Sequence, residues 1–115
     1  MKELTKLAKG LGFKPKTLST AHTFAHHNGV KPPILINDTC NLLLLHEIQA
    51  WLREKFSIHV EVSYYKEYQY SVCILNGDGN DTEGTEDLQN TNFKKHEEAL
   101  EVGLQEAITK LTLWN

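Results

Sequence analysis

Three histidines that lie close together, His22, His26 and His27, are the first residues whose type and spacing could do chemistry. His22 and His26 are four residues apart, so on a helix both imidazoles would lie on one face, as two ligands of a zinc ion do. No glutamate lies between them, which excludes the HExxH motif of metalloproteases. We interpret these histidines as polar residues of an exposed helix end, and we predict no metal site and no cofactor.

The acidic segment 76–90 has an oxygen-rich composition that resembles a calcium-binding loop. Asn76, Asp78 and Asn80 occupy alternate positions, as the ligands do in that motif. Asp81, however, stands where the motif requires glycine. We therefore interpret the segment as a solvated connector.

Cys73 and His59 are the pair that could act as a nucleophile and its base, because they would face each other across a β-hairpin. The alternative is a half-buried cysteine beside a surface histidine. Neither a G-x-S-x-G motif nor the glycine patterns of a P-loop or a dinucleotide-binding fold occur. We predict that the protein is not an enzyme and has no catalytic residues.

The stretch LAKGLGFKPKTLSTA, residues 7–21, matches the spacing of a helix-turn-helix. Ala8 would lie where two helices cross, Gly12 at the turn, and Pro15 in the first turn of the second helix. Apolar residues would hold that helix in place: Leu7, Leu11, Phe13, Leu18 and Ala21. Residues for phosphates and bases would then be Lys14, Lys16, Thr17, Ser19, Thr20 and His22. Nucleic-acid binding through residues 4–24 is therefore one hypothesis, and an amphipathic arm that docks on the rest of the chain is the alternative.

Charge is distributed unevenly along the 115 residues, whose net charge is −3. The chain up to Lys31 carries six lysines against Glu3 alone, whereas the rest carries six basic and 14 acidic residues. A basic arm before an acidic body is typical of nucleic-acid contact. It is equally consistent with an arm that lies on its own body or on a neighbouring subunit.

Apolar runs are all short, and none approaches the roughly 20 residues of a membrane span. The beginning, MKELTKLAKG, lacks the apolar region of a secretory signal. The two cysteines, Cys40 and Cys73, have no CxxC spacing, so we expect reduced thiols. These features predict a cytoplasmic protein without membrane contact.

Local signals divide the chain into a basic helical arm with a proline-containing linker, residues 1–33, and a body, residues 34–115. Residues 2–9 fit a short helix, and NGVKPPILI at 28–36 breaks regular structure, because Pro32-Pro33 cannot continue a helix. The body begins with a helix from Asn37 or Asp38 to Phe56, whose apolar residues recur at helical spacing.

Two stretches with alternating apolar residues follow, SIHVEVSYY and YQYSVCIL, and predict an antiparallel hairpin with one buried face. A last helix is expected from about Asn92 to Leu111, with an apolar stripe of Leu100, Leu104, Ala107, Ile108 and Leu111. Gly103 within this helix predicts close approach of another backbone, or room for an aromatic ring such as that of Trp51.

Together these elements predict a two-layer α+β fold, in which an antiparallel β-hairpin packs against two amphipathic helices behind an N-terminal helical arm. A third strand could come from residues 82–91 or from a partner chain. Because two strands leave exposed edges, a homodimer formed by sheet extension is an open alternative.

Three stretches of the body, QAWLREKFSIHVEV, YQYSVCIL and HEEALEVGLQEAI, follow a recurring pattern of helix and strand positions. Over residues 42–111 the chain resembles a group of small proteins from phages and prophages of Bacteroidetes. At position 96 it has a histidine where that group has an aromatic ring, and Lys94-Lys95 replace a serine or threonine cap. The resemblance implies a phage or prophage setting and carries no established activity.

Four tyrosines gather around the predicted hairpin turn, and tyrosine is a good anchor for protein partners, although cross-strand pairing is the alternative role. We predict a small protein that binds a macromolecular partner, and the resemblance implies a host or defence factor. The predicted contact residues are Tyr65 and Tyr68 at the hairpin and Lys14, Lys16, Thr17, Ser19 and Thr20 in the arm. Nucleic acid remains the alternative partner.

Overall fold

The computed structural model of the protein describes residues 1–29, 38–74, 86–87 and 93–114. The helices in this part are α1 (Lys2–Gly10), α2 (Leu18–His27), α3 (Asp38–Phe56) and α4 (His96–Trp114). The strands are β1 (Ile58–Tyr65), β2 (Glu67–Ile74) and β3 (Glu86–Asp87). The predicted α+β class, with a hairpin packed on two amphipathic helices, is confirmed.

The strands form an antiparallel sheet with the order β1-β2-β3. Val60 lies opposite Val72 and Val62 opposite Tyr70, so the alternation in the sequence places these side chains on one face, as predicted. The short strand β3 lies within residues 82–91, one of the two sources considered for a third strand, and it pairs with β2.

The hydrophobic core lies between this face of the sheet and the helices α3 and α4. Its fully buried aliphatic residues on these elements are Leu44, Ile48, Leu52, Leu100, Leu104 and Ile108. The predicted stripes of both helices are therefore the core-facing surfaces. Burial of each such side chain contributes about 1.5–3 kcal/mol, so this layer is the main source of stability.

Gly103 lies where α4 crosses the sheet. A Cβ atom at this position would be 2.8 Å from Cγ1 of Val60 and 3.0 Å from Cδ2 of Tyr70. The atoms nearest this position belong to side chains and not to another backbone, so Gly103 makes room for an aromatic ring, and that ring is Tyr70 and not Trp51. Trp51 instead contacts Phe13 and Phe56, with ring centroids 5.2 and 5.3 Å away.

The basic N-terminal segment packs on the body, with α1 against α4 and α2 against α3. Leu4 and Ala8 are fully buried, and Phe13 joins the same core through an edge contact with Trp51. Of the interpretations left open by the charge pattern, the geometry agrees with an arm docked on its own body. The expected boundary at residue 33 lies outside the described residues.

Two helix starts differ from the sequence expectation. α2 begins at Leu18 with Thr17 as its N-cap, so Pro15 precedes the helix and does not lie in its first turn. α4 begins at His96 and not near Asn92, because the backbone of Phe93 is still extended and exchanges two hydrogen bonds of 2.9 Å with Tyr68.

Most of the acidic segment 76–90, which we interpreted as a solvated connector, lies outside the described residues. Residues 30–36 of the predicted break and the candidate cap Asn37 lie outside them as well. Among the helices that the structure describes, none combines the length and the hydropathy of a membrane span.

Candidate partner-binding surface

The tyrosines around the hairpin turn form a stacked pair at the tip of the sheet. Tyr64 on β1 lies directly opposite Tyr68 on β2, and their ring centroids are 4.9 Å apart. Tyr64 keeps 66% of its surface exposed, although Tyr68 supports one side of it. The turn residue between the strands, Lys66, has a positive φ of 64°, which closes the hairpin tightly. The side chain of Tyr65 lies outside the described part of the structure.

Two histidines extend this pair into a larger surface. The ring of His96, the first residue of α4, meets Tyr68 edge to face at 5.9 Å. His46 on α3 lies 6.4 Å from His96, and Leu43, one helical turn before His46, is 47% exposed. We name the set Leu43, His46, Tyr64, Tyr68 and His96 the tip surface. It combines exposed apolar area with imidazole nitrogens that can donate or accept hydrogen bonds.

The imidazole of His96 contacts both Tyr68 and His46. Nothing in the sequence brings His46 next to His96. That proximity arises because α3 and α4 lie side by side on the same face of the sheet. Of the tip surface, the sequence had suggested only Tyr68 as a contact residue, with Tyr64 noted among the tyrosines of the turn, and it gave no signal for Leu43 or His46.

The outer edge of β1 lies beside the tip surface. Tyr68 uses both its backbone groups to pair with Phe93, on the side of β2 away from β1. Tyr64 and Tyr68 are therefore a non-hydrogen-bonded pair, and the backbone groups of Tyr64 point away from the sheet. Further along this edge, Nε2 of Gln49 on α3 donates to the carbonyl oxygen of Val60 at 2.6 Å.

The threonines predicted to read bases hold α2 in place. Thr17 and Thr20 form a reciprocal capping box at the start of α2. Thr20 is fully buried, and its hydroxyl donates to Oε1 of Glu47 on α3 at 3.1 Å. In this arrangement Thr20 is not available to a partner, and Thr17 is engaged in the cap.

The other predicted residues of the arm are exposed. Lys14 and Ser19 lie at the surface, while Nζ of Lys16 is 3.8 Å from Glu54 and its backbone N–H donates to Glu47 at 2.9 Å. Leu18, which was expected to hold the second helix in place, is 75% exposed. The seven residues between α1 and α2 also exceed the turn of three or four residues that a DNA-binding helix-turn-helix uses.

Two histidines of α2, His26 and His27, lie in different environments. Nε2 of His27 lies 2.9 Å from Oδ1 of Asn41, and burial lowers the pKa of His27 below its ordinary value of 6.5 despite that hydrogen bond. His26 is exposed, and its ring contacts His27 at 5.6 Å. Across the described ranges, no three histidine, cysteine or acidic side chains converge in a way that would hold a metal ion.

His59 and Cys73 do face each other in the strand register, as the sequence predicted. The side chain of Cys73 lies outside the described part, so the structure gives no contact between the two groups. Cys40 on α3 is a half-buried thiol.

A cleft of about 550 Å³ lies between the first turns of α3 and α4. Its described lining combines apolar and charged residues: Met1, Thr39, Asn41, Leu42, Leu45, Lys95, Glu97, Glu98 and Glu101. The amino group of Met1 pairs with Glu101 at 3.1 Å, so part of its charge is already neutralised within the chain.

Fold and surface together define a small two-layer α+β protein with an exposed aromatic and imidazole surface at one end of its sheet. No family model matches the chain, and no curated protein or solved structure is significantly similar to it.

Proposed function

We propose that this protein acts by binding another protein through the tip surface. The observation that carries the proposal is the ring of Tyr64, which is 66% exposed yet held against Tyr68 at 4.9 Å. An aromatic ring that is already held in place loses little conformational entropy on binding. Tyrosines of this kind supply a large share of the binding energy at protein interfaces.

The composition of the tip surface supports the same proposal. The two tyrosines and Leu43 provide exposed apolar area, and His46 and His96 lie between them and provide polar groups. Interfaces between proteins combine aromatic and apolar contacts with hydrogen-bonding groups in this way.

Nucleic-acid binding through residues 4–24 is less well supported. Thr20, one of the residues predicted to contact bases, is buried and donates to Glu47, so it is used within the chain. Lys6, Lys9, Lys14 and Lys16 are exposed and could contact phosphates, so the buried Thr20 and the seven-residue connection between α1 and α2 are what count against a helix-turn-helix.

The setting of this function follows from the resemblance to phage and prophage proteins. We propose a non-enzymatic protein of the cytoplasm whose partner is a host or defence factor. Self-association through the free edge of β1 is a further part of the proposal, and its geometry is argued below.

The experiment compares two variants that each remove one exposed apolar side chain. Tyr64→Ser alters the tip surface, whereas Leu113→Ser alters a residue that is 79% exposed at the opposite end of α4. Immobilised wild type and both variants are incubated with a lysate of a Bacteroidetes host, and bound proteins are quantified by mass spectrometry. We expect a protein that wild type and Leu113→Ser retain and Tyr64→Ser loses. Equal retention by both variants would contradict the proposal.

A second measurement tests the alternative partner. A gel shift with duplex DNA of mixed sequence is performed at low and moderate salt for wild type and for a Lys14→Glu, Lys16→Glu double variant. We expect no shift at moderate salt. A shift that weakens steeply with salt and disappears in the double variant would favour the nucleic-acid hypothesis.

A further inference from the structure

The free edge of β1 presents backbone groups that the described part of the chain does not use. Because Tyr64 and Tyr68 are a non-hydrogen-bonded pair, Tyr64 points its N–H and C=O away from β2. Orientation repeats every second residue along a strand, so Val62 and Val60 point the same way. Glu61, Ser63 and Tyr64 are all exposed, so α3 leaves the outer half of this strand accessible.

Gln49 occupies a hydrogen-bonding group on the part of this edge nearer the start of β1. Its side-chain amide donates to the carbonyl oxygen of Val60 at 2.6 Å, which uses an acceptor that an added strand would need. The accessible edge is thereby shortened to Val62 and Tyr64. Proteins commonly protect edge strands in this way, by covering part of the edge and leaving only a short stretch open.

We propose that a second copy of this chain pairs with this stretch, antiparallel, with Val62 opposite Tyr64 of the second copy and Ser63 on the two-fold axis. Both backbone groups of Val62 and of Tyr64 are then hydrogen-bonded across the interface. The sheet becomes continuous through both copies, and Gln49 keeps its hydrogen bond to Val60. This refines the sheet-extension dimer proposed above and does not depend on a partner at the tip surface.

The side chains favour this register over the two registers in which the two-fold axis lies one residue nearer the start of β1 or one residue nearer the turn. Pairs of valine with tyrosine across strands are favourable, and Ser63 meets a second small polar residue at the axis. A shift toward the start of β1 places Val62 opposite itself and needs the Val60 oxygen, which Gln49 already occupies. A shift toward the turn places Tyr64 opposite itself and Val62 opposite Lys66, where β1 has already ended, so only the backbone groups of Tyr64 would find partners.

An interface of this kind is small. Stable dimers bury about 1,200–2,000 Å² in total, and one short strand pair with the Tyr64 ring buries less. We therefore expect a dimer that dissociates on dilution.

Cysteine cross-linking tests the register directly. Ser63→Cys places two thiols at a non-hydrogen-bonded position, where opposing Cα atoms are about 4.5 Å apart, within reach of a disulfide. Glu61→Cys is the matched control, because the two copies of residue 61 would be separated by more than about 13 Å. Both variants contain the native cysteines, so these contribute equally to any background. With diamide as the oxidant, we expect rapid disulfide-linked dimer from Ser63→Cys and only background from Glu61→Cys.

A charged side chain at the two-fold axis provides an independent test, in protein that contains only the native cysteines. Ser63→Lys places two ammonium groups opposite each other, whereas Glu61→Lys places its charge opposite a tyrosine. Sedimentation of the intact chain should show a concentration-dependent dimer for wild type and for Glu61→Lys, and a monomer for Ser63→Lys. Monomeric wild type at every concentration, or equal cross-linking of the two cysteine variants, would overturn the proposal. Because Ser63 is not part of the tip surface, that result would leave partner binding through Tyr64 unaffected.

Discussion

The hydroxyl of Thr20 on α2, fully buried, donates to Oε1 of Glu47 on α3 at 3.1 Å. The other carboxylate oxygen of Glu47 accepts the backbone N–H of Lys16 at 2.9 Å. One acidic side chain of the body therefore holds the start of α2. This contact explains how a basic segment that resembles a DNA reader can serve as a structural part of an acidic domain.

Replacing Glu47 with alanine should loosen α2. The hydroxyl of Thr20 and the backbone N–H of Lys16 would each lose Glu47 as an acceptor, although the hydroxyl can still donate to the carbonyl oxygen of Thr17 at 3.0 Å, so we expect a loss of about 0.5–1.5 kcal/mol of unfolding free energy. The control is Glu54→Ala, which removes the exposed carboxylate 3.8 Å from Lys16 and should cost less than about 0.5 kcal/mol. Urea unfolding followed by circular dichroism measures both values. Equal losses would show that Glu47 contributes no more than an ordinary surface charge.

Gly103→Ala should destabilise the protein although alanine favours helix. The gain in helix propensity is about 1 kcal/mol, whereas forcing a methyl group to within 2.8 Å of Val60 costs about 1–3 kcal/mol. Gly10→Ala is the matched control, because no atom lies within 4 Å of an added Cβ there, and it should be neutral or stabilising. Thermal unfolding of the two variants distinguishes crowding from propensity. A higher melting temperature for Gly103→Ala would refute the close packing of α4 on the sheet.

His27 should make the unfolding free energy decrease as the pH is lowered. Burial lowers its pKa in the folded state, so the unfolded chain takes up a proton first as the pH decreases. Its contribution is therefore fully present above the unfolded value of 6.5 and is lost as the pH falls through the lower folded value. Between about pH 7.5 and about pH 5, the unfolding free energy of His27→Gln should decrease less than that of wild type.

His22→Gln is the control for this measurement. His22 lies on the same helix and makes no hydrogen bond to the described residues, and the other titrating groups of the protein are common to both variants. We expect His22→Gln to follow the wild-type curve. Parallel curves for all three proteins would exclude His27 as a source of the pH dependence.

Ser57→Gly should stabilise the connection between α3 and β1. Ser57 has a positive φ of 57°, a conformation that glycine adopts without steric cost and that is common just after a helix. We expect a gain of about 1 kcal/mol in unfolding free energy. Ser57→Ala retains a Cβ and should give no such gain, so a comparable effect of both substitutions in urea unfolding would contradict the explanation.

Much of the fold could be predicted because the relevant signals are local. The alternation of Val60 and Val62 with polar residues specifies which face of β1 is buried, and the stripe of α4 does the same for a helix. Helix starts were less predictable. α4 begins at His96 because Phe93 pairs with Tyr68, a contact between residues that are far apart in the sequence.

The candidate site was only partly predictable for the same reason. Tyrosines near a hairpin turn are visible in the sequence, and their pairing follows from the strand register. The approach of His46 to His96 depends on how two helices pack side by side. The helix-turn-helix match failed to indicate which residues are accessible, since it describes spacing and contains no information about Glu47.

The sequence by itself determined the element types, the buried faces and the unequal distribution of charge, because these depend on the identity and period of neighbouring residues. Only the tertiary structure decided that the basic segment packs on the acidic body, that Thr20 is buried, and that Tyr64 is exposed at the tip. Accessibility is a property of the packed chain. It depends on which distant surfaces come together to remove apolar area from water and to pair buried polar groups.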